Sequence, residues 1–122
     1  MRGHRDLAAW QKGMQLVKEI YRVTRDFPRD ETYGLTSQLR RAAVSVPSNL
    51  AEGHGRNSRR ESYQFVGHAR GSLLEVETQI EIARDLGYVP VPLAKELLAK
   101  TDELGRVLTG LRAWCSSAKA NS

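Results

Sequence analysis

Cysteine is almost missing from this chain: of 122 residues, Cys115 alone carries a thiol. No disulfide can close within the chain, and a single Cys gives no zinc pattern. Histidine is scarce too. His4, His54 and His68 are the three present. None lies four residues from another, and no HExxH or ExxH helix motif occurs. Each therefore reads as a surface or hydrogen-bonded side chain rather than a metal ligand or a base. Aromatics make up 7%, so aliphatic side chains must fill any core. No apolar run approaches the roughly 18 residues needed to span a membrane. The segment Met1-Arg2-Gly3-His4-Arg5-Asp6 has basic residues with no apolar stretch behind them. These absences lead us to expect a cytoplasmic protein with no membrane partner.

What is present suits one domain of ordinary size. At 40% hydrophobic and 27% charged, the chain can bury a core without disulfides or metal. The formal charge of +5 is unevenly placed. Residues 1–70 hold 13 Lys or Arg against 7 Asp or Glu, and residues 71–122 hold 6 against 7. A positive excess confined to one half suits a polyanionic partner. It also suits a solvated surface that keeps the protein soluble.

Long helical periods lie between a few Gly and Pro residues. Asp6 can cap a first helix, on which Leu7, Trp10, Met14, Val17 and Tyr21 share a face; Phe27-Pro28 ends it. Leu35, Leu39, Ala42, Ala43, Val46 and Leu50 form the apolar stripe of a second helix. Pro47 should kink this helix, and the continuing apolar phase favours one helix over two. Ser58-Arg59-Arg60-Glu61 matches a capping box. Phe65, Val66, Ala69, Leu73, Val76, Ile80, Ala83 and Leu86 line the third helix, and Gly87 follows it as a natural C′ residue. Leu93, Leu97, Leu104, Leu108, Leu111 and Cys115 mark the fourth. The small polar residues 116–122 are expected to fray. The predicted fold is all-α, an antiparallel up-and-down four-helix bundle forming a single domain over 1–122, with helices at about 6–27, 31–53, 58–86 and 91–117.

No residue constellation points to an enzyme or a cofactor. Gly53-His54-Gly55 follows a helix and lacks the GK[ST] ending of a phosphate loop. Glu75 and Glu77 point to different helix faces. Glu77 and Glu81 share a face, but read as a solvated acidic patch. Cys115 sits on an apolar face and reads as a buried structural thiol.

A polar stripe is more informative. Gln38, Arg41, Ser45, Asn49 and Glu52 recur at steps of three and four, on one face of the second helix. His68, Ser72, Glu75 and Gln79 do the same on the third. If the link near Gly55 closes an antiparallel hairpin, residue numbers on facing turns should add to roughly 112. Arg41 then falls near Ser72 and Glu75, and Glu52 near Arg59 and Arg60. The stripe can be a solvated face, a network at a helix or subunit interface, or a ligand site. Small hydroxyl and amide side chains with one Arg and one Glu favour the interface, because Arg–carboxylate forks fix register there.

Basic residues cluster beside it. Arg40 and Arg41 lie on the second helix, and Arg56, Arg59 and Arg60 at the hairpin tip, with Tyr63 and His54 as stacking groups. The start of the third helix adds partial positive charge. We therefore expect a nucleic-acid backbone to meet Arg40, Arg56, Arg59 and Arg60. The alternative is that Arg59 or Arg60 simply pairs with Glu52.

Two stretches carry a resemblance. One is Phe27-Pro28, Glu31, Tyr33-Gly34-Leu35, Gln38, Arg41-Ala42-Ala43-Val44-Ser45 and Asn49-Leu50-Ala51-Glu52-Gly53. The other is Phe65, Ala69-Arg70-Gly71-Ser72-Leu73-Leu74-Glu75-Val76-Glu77 and Leu86-Gly87-Tyr88. Together they resemble the bacterial four helix bundle protein family, also called the 23S ribosomal RNA intervening-sequence protein family. The resemblance runs from about Leu7 to Val89, and the fourth helix agrees only in pattern. It implies the same fold and a homopentameric ring, in a family encoded within insertions in 23S rRNA genes or elsewhere in bacterial genomes. The chain is also similar to the accessory variability proteins of diversity-generating retroelements, pentameric bundles that bind a reverse transcriptase and nucleic acid. The partners so implied are other copies of the chain, RNA or DNA, and a reverse transcriptase or other protein. The family's signature residues correspond here to Gln38, Arg41, Ser45, Asn49, Glu52, Ser72 and Glu75. Pro47-Ser48 departs from its pattern.

Overall fold

The computed structural model describes residues 3–120, with side chains for 3–116. Four helices account for most of it: α1 (Ala8–Thr24), α2 (Leu35–His54), α3 (Arg59–Asp85) and α4 (Val91–Ala120). Short 3-10 turns at His4–Asp6 and Arg29–Glu31 precede α1 and α2, and no strand occurs among the described residues. Side-chain pairs fix the topology. Gly13 meets Pro47 while Thr24 meets Arg40, Ser45 meets Ser72 while Gly53 meets Ser62, and Gly67 meets Arg112 while Leu73 meets Gly105; Lys12 pairs with Glu103 and Glu19 with Lys100. Numbers rise on one helix as they fall on its neighbour, so successive helices run antiparallel. Each helix packs on its two neighbours in a ring, and α2–α3 is the most extensive pair.

The α2 stripe is buried as expected, from Leu35 through Leu39, Ala42, Ala43 and Val46 to Leu50. Helix α3 buries Val66, Ala69, Leu73, Val76, Ile80 and Ala83. Phe65 is half-buried, and Leu86, expected in the core, is 55% exposed because it caps α3 rather than continuing it. The C-terminus of α3 closes with the Tyr88 N–H on the Ala83 carbonyl and the Gly87 N–H on the Arg84 carbonyl. This motif requires the left-handed backbone that Gly87 supplies at φ 81°. Helix α4 buries Leu97, Leu104, Leu108 and Cys115, together with Ala94 and Thr101.

Helix α1 differs from expectation. Its buried face is Ala9, Gly13, Leu16, Ile20 and Thr24, turned by one residue, about 100°, from the predicted face. Trp10 and Val17 flank this face half-buried, and Tyr21 is exposed. Weighing only large apolar residues misses small ones that let backbones approach. A Cβ on Gly13 would stand 3.4 Å from the Pro47 ring. Thr24 hides its hydroxyl by donating to the Ile20 carbonyl at 2.7 Å.

Several boundaries also shift. Asp6 lies in the 3-10 turn, and Leu7 occupies the N-cap of α1 with no side-chain cap. Helix α1 ends at Thr24, where the chain tightens into three-residue turns. Helix α2 starts at Leu35, because Arg29–Glu31 forms its own turn. It runs unbroken past Pro47, as expected, with the ring buried against Gly13. Helix α4 continues to Ala120, beyond the predicted 117; Asn121 and Ser122 lie outside the described residues.

Candidate functional site

The polar stripe gathers on the α2–α3 face. Gln38, Arg41, Ala42, Ser45, Ser72, Glu75 and Gln79 line one open cleft of about 330 Å³. The Ser45 and Ser72 hydroxyls meet at 2.9 Å across the helix pair. Asn49 reinforces this bond by donating to the Ser45 carbonyl at 2.8 Å and to its hydroxyl at 2.9 Å. Arg41 and Glu75 line the same cleft, as the predicted pairing requires, but make no ion pair with each other. The buried Gln79 side-chain oxygen has no hydrogen-bond partner. A buried acceptor left unmatched is costly, so the cleft holds hydrogen-bonding capacity that the chain does not use. Beside it Leu74, at 52% exposed, and Ile82, at 43%, line an adjoining groove on α3.

Glu52 stands apart from the cleft. Gly53 faces Ser62 and Ser45 faces Ser72, so facing numbers add to 115–117 rather than 112. The shift places Glu52 about a turn past Arg60. Its carboxylate meets Arg56 instead, at 3.6 Å along its own chain segment.

The four predicted basic contacts do not form one cluster. Arg40 donates to the Thr24 hydroxyl at 2.8 Å and stacks on Tyr21 at 4.5 Å, tying α2 to the end of α1. It is roughly 20 Å from the tip at 1.5 Å per helical residue. Arg56, Arg59 and Arg60 do come together around the start of α3, and all three are exposed. Ser58 caps that helix by accepting the Glu61 N–H at 3.2 Å. Ser62 donates to the Gly53 carbonyl at 2.8 Å, locking the tip to α2.

Sequence reasoning missed how far the tip reaches into α4. Arg59 lies over Trp114 at 4.1 Å, Arg56 over Phe65 at 4.7 Å and Arg112 over Tyr63 at 4.4 Å from the ring centres. Such stacking occupies the guanidinium face and leaves its in-plane N–H donors available. Trp114 and Arg112 sit at the end of α4, where the periodic signal is weakest. The single thiol, Cys115, is buried beneath this tip. Burial raises its pKa, while the charge of Arg59 pulls the other way. Among the described residues no group of His, Cys, Asp or Glu could hold a metal ion, and no helix is long and apolar enough to cross a membrane.

With this geometry in place, likeness to known proteins can be stated. The chain matches the family described as "23S rRNA-intervening sequence protein" over residues 5–110. The crystal structure of a protein of unknown function from the S23 ribosomal protein family, from Bacteroides thetaiotaomicron, aligns with a TM-score of 0.78 at 16% identity. The alignment covers 86% of this chain and 98% of that one. At that identity the likeness speaks for the fold alone. Among curated proteins, none matches the chain.

Proposed function

Because the chain belongs to the 23S rRNA-intervening sequence protein family, we propose that it binds rather than catalyses: a homo-oligomer that meets nucleic acid, RNA before DNA, through Arg56, Arg59 and Arg60. One observation carries this reading. Arg59 and Arg60 open the first turn of α3, exposed and, among the described residues, without a carboxylate partner. Two unneutralised guanidinium groups beside a helix N-terminus favour phosphate. Arg56 adds a third, resting over Phe65 and paired with a carboxylate by an exposed i, i+4 contact worth about 0.5 kcal/mol or less. Arg40 is left out, because its donors are engaged on α1.

The α2–α3 face supports self-association. Exposed Leu74 and Ile82 flank a cleft where, among the described residues, the Gln79 oxygen is unmatched and Arg41 has no ion pair. A ring, such as a pentamer, would repeat the arginine tip and multiply weak phosphate contacts by avidity. The same face also supports a second reading, a scaffold that docks another protein such as a polymerase.

Filter binding of a structured RNA across a salt series separates the two. Phosphate binding predicts an affinity that falls with salt at a slope of roughly 0.7–0.9 per contact in log–log form. Replacing Arg56, Arg59 and Arg60 together by Ala removes it. No binding at low salt ends the nucleic-acid reading and leaves the scaffold. Light scattering tests assembly. Leu74→Glu with Ile82→Glu, both at exposed positions, should reduce the mass to the 13.7 kDa protomer. A wild-type protein already at that mass sinks the oligomer.

A further inference from the structure

A second cavity lies at the arginine-rich end and is unlike the polar cleft. It has a volume of about 440 Å³ and opens between the α2–α3 link, the entry to α1 and the end of α4. Leu50, Val66 and Cys115, each under 5% exposed, form its floor. Leu7 and Leu111 flank it, and Trp114 forms a wall. The charged groups at its rim are two cations, Arg56 and Arg59, and no carboxylate lines it. Arg59 lies over the Trp114 ring with no hydrogen bond or ion pair among the described residues, and Arg56 lies over Phe65 with one long contact to Glu52. The rim also carries the backbone N–H of Arg59, which opens α3 and has no partner within the helix. The volume and the apolar floor fall within the range of small-molecule sites.

From this arrangement we propose that the cavity binds a small amphipathic carboxylate, with its acyl or aryl body on the Leu50, Val66 and Leu111 side chains and its carboxylate on Arg59. Charge complementarity selects this occupant. An uncharged apolar ligand would leave the arginine donors unanswered, and a bare anion would leave the apolar floor wet. Arg59 is the principal anchor, since Arg56 shares its charge with Glu52. The influence of Arg59 reaches the floor, where it counteracts the effect of burial on the Cys115 thiol. This site does not depend on nucleic-acid binding, although the two share Arg59.

The probes are decanoate and decanol, followed by calorimetry and by displacement of 8-anilinonaphthalene-1-sulfonate. Decanoate is expected to bind saturably, one per chain, and at least about tenfold more tightly than decanol. Arg59→Ala should cost decanoate about tenfold, Arg59→Lys less, and Leu111→Trp, which fills the cavity, should abolish binding. Arg60 does not line the cavity, so Arg60→Ala should weaken RNA binding and leave decanoate unchanged; the two readings can thus fail separately. Equal affinity for decanoate and decanol, or full binding by the Trp variant, overturns the proposal. Should that variant not fold, the unmodified protein still decides. Decanoate must slow the reaction of Cys115 with N-ethylmaleimide, and absence of protection is equally decisive against the site.

Discussion

The two ends of the bundle use similar residues to opposite effect. At the end where the α1–α2 and α3–α4 links meet, Phe27 packs on Tyr88 at 5.6 Å between ring centres. Tyr88 donates its hydroxyl to Glu31 at 2.8 Å, and Glu31 also accepts the Leu35 N–H at 3.1 Å, capping α2. The Phe27 and Tyr88 rings there pack on each other at a tilt of 51°, and the carboxylate answers donors from its own chain. At the other end three rings carry arginines, and among the described residues no carboxylate answers Arg59 or Arg60; the arginine over a ring near the latched end, Arg40 on Tyr21, spends donors on Thr24 and the Tyr21 carbonyl. A latched end holds the links in place, and an unanswered end presents charge outward. The contrast locates function by asking where a polar group's partner lies, rather than how many polar groups are present.

The largest test of this contrast is Phe27→Ala. Removing a ring that is 7% exposed should cost about 3–5 kcal/mol in urea denaturation. RNA affinity of the folded fraction should be unchanged. Gly53→Ala comes next, because an added Cβ would lie 2.8 Å from the Cβ of Phe65. Moving that backbone should cost about 1–3 kcal/mol, showing that the root of the open end is itself tightly packed. Arg60→Ala should alter stability by no more than about 0.5 kcal/mol. In filter binding it should weaken RNA uniformly across sequences and lower the salt slope by about one. A stability loss at Arg60 matching that at Phe27 would erase the distinction between the ends.

The smallest effect concerns pH. The Leu35 N–H and the Tyr88 hydroxyl hold the Glu31 carboxyl below its ordinary 4.5. Its contribution is therefore present above pH 4.5 and lost as pH falls through the lowered folded value. Tyr88 is raised above 10.0, chiefly by its bond to Glu31, so its contribution fades as pH rises through that value. Glu31→Gln should flatten the acid limb of a urea-midpoint-versus-pH curve and leave the tip's RNA binding unaltered.

The apolar stripes of α2, α3 and α4 were legible because large aliphatics recur there at helical spacing. The α1 face was not, since Ala9, Gly13 and Thr24 contribute closeness rather than bulk, and closeness has no periodic signature. The polar stripe was legible for the same reason as the core: Gln38, Arg41, Ser45, Ser72 and Glu75 keep strict phase and meet in one cleft. Glu52 and Arg40 were misplaced. The first depends on the length of one link, and the second on hydroxyl and carbonyl acceptors in α1 that spacing does not reveal. The carboxylate cavity required three segments to converge, Leu7, the α2–α3 link and the end of α4, which no single stretch of sequence displays.

The small-residue face of α1 has a consequence for how the molecule opens. Only Leu16 and Ile20 give that face bulk, and α1 leans mainly on α2, with slighter contact to α4. Apolar area buried per helix sets the free energy of detaching it. Helix α1 is therefore expected to be the first cooperative unit to leave. In native-state hydrogen exchange its amides should lose protection together, through a partial opening, while α2 and α3 exchange only on global unfolding.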